Sequence, residues 1–98
     1  RLERHVHVPE PDREAREEIL SVHTRGKPLA DDVSLPDLAD ATEGLSGAEL
    51  EAVVREASML AIREMAEEYG PAEASDRADE VRVTAEHFER ARRRALDR

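Results

Sequence analysis

A chain of 98 residues suits one small domain, able to bury roughly 60 to 65% of its unfolded surface. Its 24 acidic against 15 basic residues, a formal net charge of −9, oppose generic nucleic-acid binding, which needs a basic face to displace counterions from phosphates. Cysteine is absent, which excludes disulfides and thiolate zinc sites, and no apolar run approaches membrane-spanning length.

The first expected element is a short strand over residues 5 to 8, where Val6 and Val8 share a face and Pro9 and Pro11 stop it. His5 and His7 alternate along it, far in sequence from His23 and His87, so the four histidines form no ligand cluster and no metal site is expected. Asp12 is placed to cap a helix running to about Arg25, with acids in its first turn and an apolar stripe of Ala15, Ile19 and Val22. Gly26 and Pro28 end it. A short second helix is expected after Ser34, with Pro36 in its first turn and Leu35, Leu38 and Ala39 facing inward, stopping at Gly44.

The run from Glu43 to Leu50 joins a helix stop to a helix start. Gly44 suits a left-handed position after the second helix, Ser46 is a strong N-cap, and Glu49 three residues on completes a capping box. Gly47 and Ala48 then occupy a first turn whose N–H groups lack intrahelical partners and carry the positive end of the dipole. Taken alone, such a start is a weak signal: most are simple caps and tight packing points with no ligand nearby, and a minority are places where backbone approaches a flat ligand. The third helix follows, with Leu50, Val53, Val54, Ala57, Leu60 and Ala61 on one stripe, and Glu51, Arg55, Glu56 and Arg63 in solvent. It is expected to end at Gly70 and Pro71, about 35 Å from Ser46 at 1.5 Å per residue.

Residues 71 to 80 hold no core-forming side chain and read as a mobile loop. Val81, Arg82 and Val83 alternate like a brief strand, Thr84 caps a fourth helix, and Phe88, Ala91 and Ala95 supply its inner face. No repeat recurs at a fixed period. Lys27 is the only lysine, and dense carboxylates with an Arg bias read either as a well-solvated surface or as halophilic adaptation to a cytoplasm of molar salt. No signal segment is seen, and a cytoplasmic location is expected. There is no G-x-x-x-x-G-K-[ST] run and no apolar strand ending in paired acids, so no nucleotide hydrolysis is expected of this chain alone. Lacking an initiator Met and opening in mid-motif, the chain reads as a piece of a longer protein.

Arg1-Leu2-Glu3-Arg4, Val8-Pro9-Glu10-Pro11-Asp12, Ala15-Arg16, Ile19-Leu20, His23-Thr24-Arg25, Pro28-Leu29-Ala30, Asp32-Val33 and Leu38-Ala39 precede the Ser46-Gly47-Ala48-Glu49-Leu50 run. Arg55-Glu56-Ala57, Ala61-Ile62-Arg63-Glu64, Val83-Thr84 and His87-Phe88 follow it. In order and spacing these segments resemble the small C-terminal lid of AAA ATPases across essentially the whole chain, most of all the archaeal cell-division-cycle protein 48, or valosin-containing-protein-like, type. The resemblance implies a mainly α fold, a four-helix lid bundle over residues 12 to 98. Residues 1 to 11 would be the end of a large AAA domain, its last strand and linker.

It also implies roles. His23 matches a lid histidine set against ribose and purine, and Ile19, one turn back, an apolar residue against the adenine; on the residues alone, Ile19 reads as core and His23 as a capping or interhelical polar contact. Gly47 and Ala48 match the backbone on the adenine-ribose side, Ala48 standing where many AAA+ proteins carry an arginine that senses the γ-phosphate. Arg1 matches the second of paired arginine fingers acting on a neighbouring subunit, although Glu3 replaces the usual aspartate. ATP or ADP with Mg would be bound by the longer protein and not by this chain alone. Its partners would be the large AAA domain, neighbouring subunits of a hexamer, protein substrates and adaptors, with no nucleic acid and no membrane. The alternatives are the lid of a proteasome-activating ATPase, usually shorter over the stretch at 66 to 82, or a free-standing acidic helical module for protein interaction. The long stretch favours the protein-unfolding type and its second ATPase domain.

Overall fold

The computed structural model describes residues 10–96, and the expected strand at 5 to 8, Pro9 of the linker and Arg1 lie outside the described residues. Five helices follow one another: α1 (Arg13–Thr24), α2 (Leu35–Ala41), α3 (Gly47–Tyr69), α4 (Pro71–Asp76) and α5 (Ala85–Leu96). The four expected helices are therefore joined by a fifth.

Side-chain caps define the helix starts. The Asp12 carboxylate accepts from the Ala15 N–H at 2.8 Å to open α1, and the Ser34 hydroxyl accepts from the Asp37 N–H at 3.3 Å to open α2. At α3 the capping box is complete: Ser46 N–H donates to Glu49 Oε1 at 2.8 Å, and Glu49 N–H to Ser46 Oγ at 3.1 Å. Gly70, at φ 82°, ends α3 with its N–H on the Ala66 carbonyl, a backbone angle that L side chains seldom adopt.

At α5, the Thr84 hydroxyl accepts from the His87 N–H at 3.3 Å, while Thr84 N–H donates to His87 Nδ1 at 2.9 Å. A backbone N–H can only donate, so Nδ1 carries a lone pair and the proton sits on Nε2. Nε2 therefore donates to Glu64 Oε1 at 2.8 Å, and Arg90 donates to the other oxygen of Glu64 at 2.8 Å, tying α5 to α3. Those bonds, the His87 one foremost, hold the Glu64 carboxyl below its ordinary value.

The core lies where α3 meets α1, α2 and α5. Leu20, Leu50, Val53, Val54, Ala57, Val83 and Phe88 are sealed from solvent, with Leu38, Ala39, Leu45 and Ala91 around them. The apolar stripe read from α3 is the stripe it buries.

Three expectations need correction. On α1 the buried positions are Arg16, Leu20 and Thr24, whereas Ala15 and Ile19 are half-buried and Val22 is 49% exposed, so the inner face is turned by about one residue. Two polar side chains on that face conceal it. Arg16 donates from Nε to the Ala39 carbonyl at 2.8 Å and from Nη1 to the Pro11 carbonyl at 3.0 Å, and Thr24 donates to the Leu20 carbonyl at 2.7 Å, so neither is buried without a partner. Residues 71 to 80, read as a loop, form α4 and a 3-10 turn over Ala78–Glu80. Pro71 pre-sets the first helical position, and Arg77 bonds Glu73 and Glu80, each at 3.1 Å, while lying 4.5 Å from the Tyr69 ring centre. The strand expected over 81 to 83 is a single parallel bridge, Leu29 to Val83, with Val83 N–H on the Pro28 carbonyl and Ala30 N–H on the Val83 carbonyl.

Candidate functional site

The rotation of α1 places Ile19 and His23 beside the core instead of within it, on the flank facing the start of α3. A Cβ built on Gly47 would lie 3.9 Å from Ile19 Cδ1, so the first turn of α3 rests against this side chain. One turn further, half-buried His23 shares a shallow groove of about 230 Å³ with Glu51, Val54, Arg55, Ser58, Met59 and the lone lysine, Lys27. On α3 the lining of that groove runs from Glu51 to Met59, beyond the first turn that holds Gly47 and Ala48.

Gly47 thus lies against Ile19, while His23 lines a groove with later residues of α3. Ala48 is exposed on the same helix start, next to Gly47. Arg1 lies outside the described residues.

The groups at this place are not consumed by the fold. Ser46 and Glu49 satisfy each other, and Leu50 N–H reaches the Ser46 carbonyl at 2.9 Å, but the Gly47 and Ala48 N–H groups meet no acceptor among the described residues. The His23 ring likewise makes no hydrogen bond among the described residues, and it sits between α1 and α3 in the groove it shares with Glu51 and Ser58. Glu51 pairs with Arg55 at 3.4 Å, and both are more than half exposed, so this pair adds little to stability.

Gly47 is the informative residue. Its φ is not positive, and an added Cβ would make only ordinary contact with Ile19, so nothing among the described residues requires glycine there. Glycine costs a helix conformational entropy relative to alanine. Among the described residues, the Gly47 position has open space on its outer side and neighbouring N–H groups without an acceptor. The residues supply donors, an apolar wall and a ring nitrogen. Nothing at this place has the geometry of a nucleophile with its base, and among the described residues no three His, Cys, Asp or Glu side chains gather as metal ligands.

Arg16 escaped the sequence reading. Its signal was present, since Arg16, Leu20 and Thr24 recur at four-residue steps, but an ionised side chain is seldom assigned to a buried stripe. By bonding the Pro11 carbonyl it fixes the segment entering α1 against α2.

A family model described as the AAA+ lid domain matches residues 32–90. The cell division cycle protein 48 homolog of Archaeoglobus fulgidus is 54% identical over 92 residues, covering 93% of this chain and 13% of that protein. The proteasome-activating nucleotidase of Methanopyrus kandleri is 53% identical over 64 residues, 65% of this chain and 15% of that protein. The ATP-dependent zinc metalloprotease FtsH of Syntrophotalea carbinolica is 44% identical over 96 residues, 98% of this chain and 13% of that protein. The chain thus spans about one-seventh of the length of these relatives, and among the described residues no helix is long and apolar enough to cross a membrane.

Proposed function

The chain belongs to the AAA+ lid domain family, and from that premise we propose that it serves as the nucleotide-facing lid of a longer ATPase of the protein-unfolding, cell-division-cycle-48 type. Its task is to read the adenine-ribose end of ATP or ADP and to turn that contact into a change of angle against the large AAA domain. The phosphates and Mg are the business of that other domain. One observation supports the reading: the first turn of α3 rests against Ile19 at Gly47, and its Gly47 and Ala48 N–H groups meet no acceptor among the described residues, with His23 one turn along α1 from Ile19.

The purine lies against Ile19 and the bare backbone of Gly47, whose missing Cβ admits the ring face. His23 offers a ring nitrogen to a ribose hydroxyl, and the Gly47 and Ala48 N–H groups face the ligand at the positive end of the α3 dipole. Ala48 has no charged group with which to sense a γ-phosphate, so coupling depends on the shape of the two-domain cleft. A nucleotide shifts the lid angle only through contacts that differ between the two orientations. Because Arg16 ties Pro11 to Ala39, the hinge acts ahead of Pro11, and everything from there to α5 turns as one body. The large AAA domain and the neighbouring subunits of a hexamer are the expected partners, with Arg1 as a finger toward the next subunit's phosphates.

The extended α3 and added α4 favour the protein-unfolding type over a proteasome-activating lid. The test is an ADP titration of the longer ATPase with His23→Ala. Loss of one partly buried polar contact weakens binding by about 1 to 2 kcal/mol. An unchanged dissociation constant assigns His23 to structure and removes the reading.

A further inference from the structure

Arg16 is the one ionisable side chain that α1 buries, at 6% exposure. Among the described residues its guanidinium meets two backbone carbonyls and no carboxylate, with Nε on Ala39 at 2.8 Å and Nη1 on Pro11 at 3.0 Å. A buried charge without a counter-ion is costly unless oriented dipoles stand in for one. Here a helix end does so. Ala39 lies in the last turn of α2, whose final carbonyls lack intrahelical partners and carry the negative end of the helix dipole, and no basic residue of α2 itself occupies that turn. Arg16 thus caps α2 from a neighbouring helix while its other arm grips the linker.

The Ala39 carbonyl also begins a short route to α3. It accepts a second bond, from the Thr42 hydroxyl at 3.2 Å, and the Thr42 carbonyl in turn accepts from the Leu45 N–H at 3.1 Å. Thr42 and Leu45 are buried, and Ser46, next in the chain, opens α3 just ahead of Gly47 and Ala48. Contiguous bonds therefore join the Pro11 carbonyl to the turn assigned to the nucleotide. The docking of α2 on α1 has other supports, since Arg13 bonds the Asp40 carboxylate and Leu38 and Ala39 enter the core. What Arg16 alone adds is the hold on Pro11.

We infer that Arg16 is a positioning residue, through which the nucleotide contact at the start of α3 sets the direction of the linker entering α1. The inference rests on the nucleotide-facing reading, whose failure shows separately as an unchanged ADP dissociation constant in His23→Ala. Because Arg16 is buried away from the nucleotide contact, its removal spares affinity and disturbs movement.

The longer ATPase carries one dye through Arg93→Cys, a position 71% exposed on α5, and a second dye on the large AAA domain; energy transfer is read without nucleotide and at saturating ADP. Two variants test the bridge. Arg16→Met keeps the unbranched stem and loses both donors, whereas Arg16→Lys keeps a charge at the end of α2 but offers one nitrogen where the guanidinium uses two. Both bind ADP within about threefold of the parent, while the ADP-dependent change in transfer falls to about half or less. Thermal melting of the 98-residue chain stays cooperative in both. A change in transfer as large as the parent's overturns the inference, as does a parent with no ADP-dependent change. Full recovery by Arg16→Lys overturns it too, since charge at the end of α2 would then suffice. If both variants melt without cooperativity, or lose about tenfold or more in ADP affinity, Arg16 serves the fold alone and the inference falls.

Discussion

Replacing Gly47 with alanine separates what the fold needs from what a ligand needs. Among the described residues the new methyl group meets only Ile19 Cδ1 at 3.9 Å, an ordinary contact, and the backbone angle is open to any L residue. Alanine restricts the unfolded chain more than glycine does, a gain of about 0.4 to 1 kcal/mol where the native geometry accepts it. For a domain of this size that raises the melting midpoint by roughly 2 to 8 °C. In a longer ATPase carrying the chain, the same methyl stands where the purine face must come closest. ADP affinity there falls at least tenfold, about 1.4 kcal/mol. Thermal unfolding of the 98-residue chain and calorimetric titration of the ATPase with ADP measure the two effects. A variant that melts higher and binds ADP as well as the parent refutes the argument that glycine at 47 serves a ligand; one that melts much lower refutes the packing argument.

Ala48→Arg places a guanidinium on an exposed position of the same first turn, so nucleotide affinity or turnover changes while the melting point moves little; lost stability with normal ADP binding contradicts the assignment. Glu64 gives a pH dependence of known sign. Its folded carboxyl lies below its ordinary value, foremost through the His87 bond and then through Arg90, so its stabilising share is present above the unfolded pKa and is lost as pH falls through the folded one. Denaturant titrations from neutral pH into the acid range show a shallower loss of stability for Glu64→Gln than for the parent, and equal slopes discard the clamp. With nine excess negative charges, stability rises with potassium chloride, since about 1 M salt shortens the Debye length to roughly 3 Å. A midpoint that stays flat or falls removes self-repulsion, and with it the halophilic reading.

Much of the fold was legible because caps and periodicity act locally. Asp12, Ser34 and Ser46 open the helices they appeared to open, and Gly70 closes α3 where expected. The misreadings have physical causes. The inner face of α1 is misjudged because Arg16 and Thr24 are buried on it, each satisfied by a backbone carbonyl that only the tertiary fold supplies. Helix α4 is missed because its alanines and acids carry no apolar period, and its order comes from Pro71, the brace of Arg77 and the flank of α3. The brief strand at 81 to 83 shrinks to one bridge because only the turn at Pro28 to Ala30 lies beside it. The candidate site was legible in part. The spacing of Ile19 and His23 puts them on one face of α1, but the contact of Ile19 with Gly47 depends on how α1 packs along α3, which no local pattern encodes.

The account turns on whether this lid touches the base of a bound nucleotide, and photolabelling of the longer ATPase with 2-azido-ADP tests that contact directly. After trypsin, labelled peptides should be those running from Glu17 to Arg25 and from Gly26 to Arg55, which hold Ile19 and His23, and Gly47 and Ala48. Excess unmodified ADP should abolish both labels. Labelling confined to peptides outside this chain, with saturable ADP protection, would contradict the central claim.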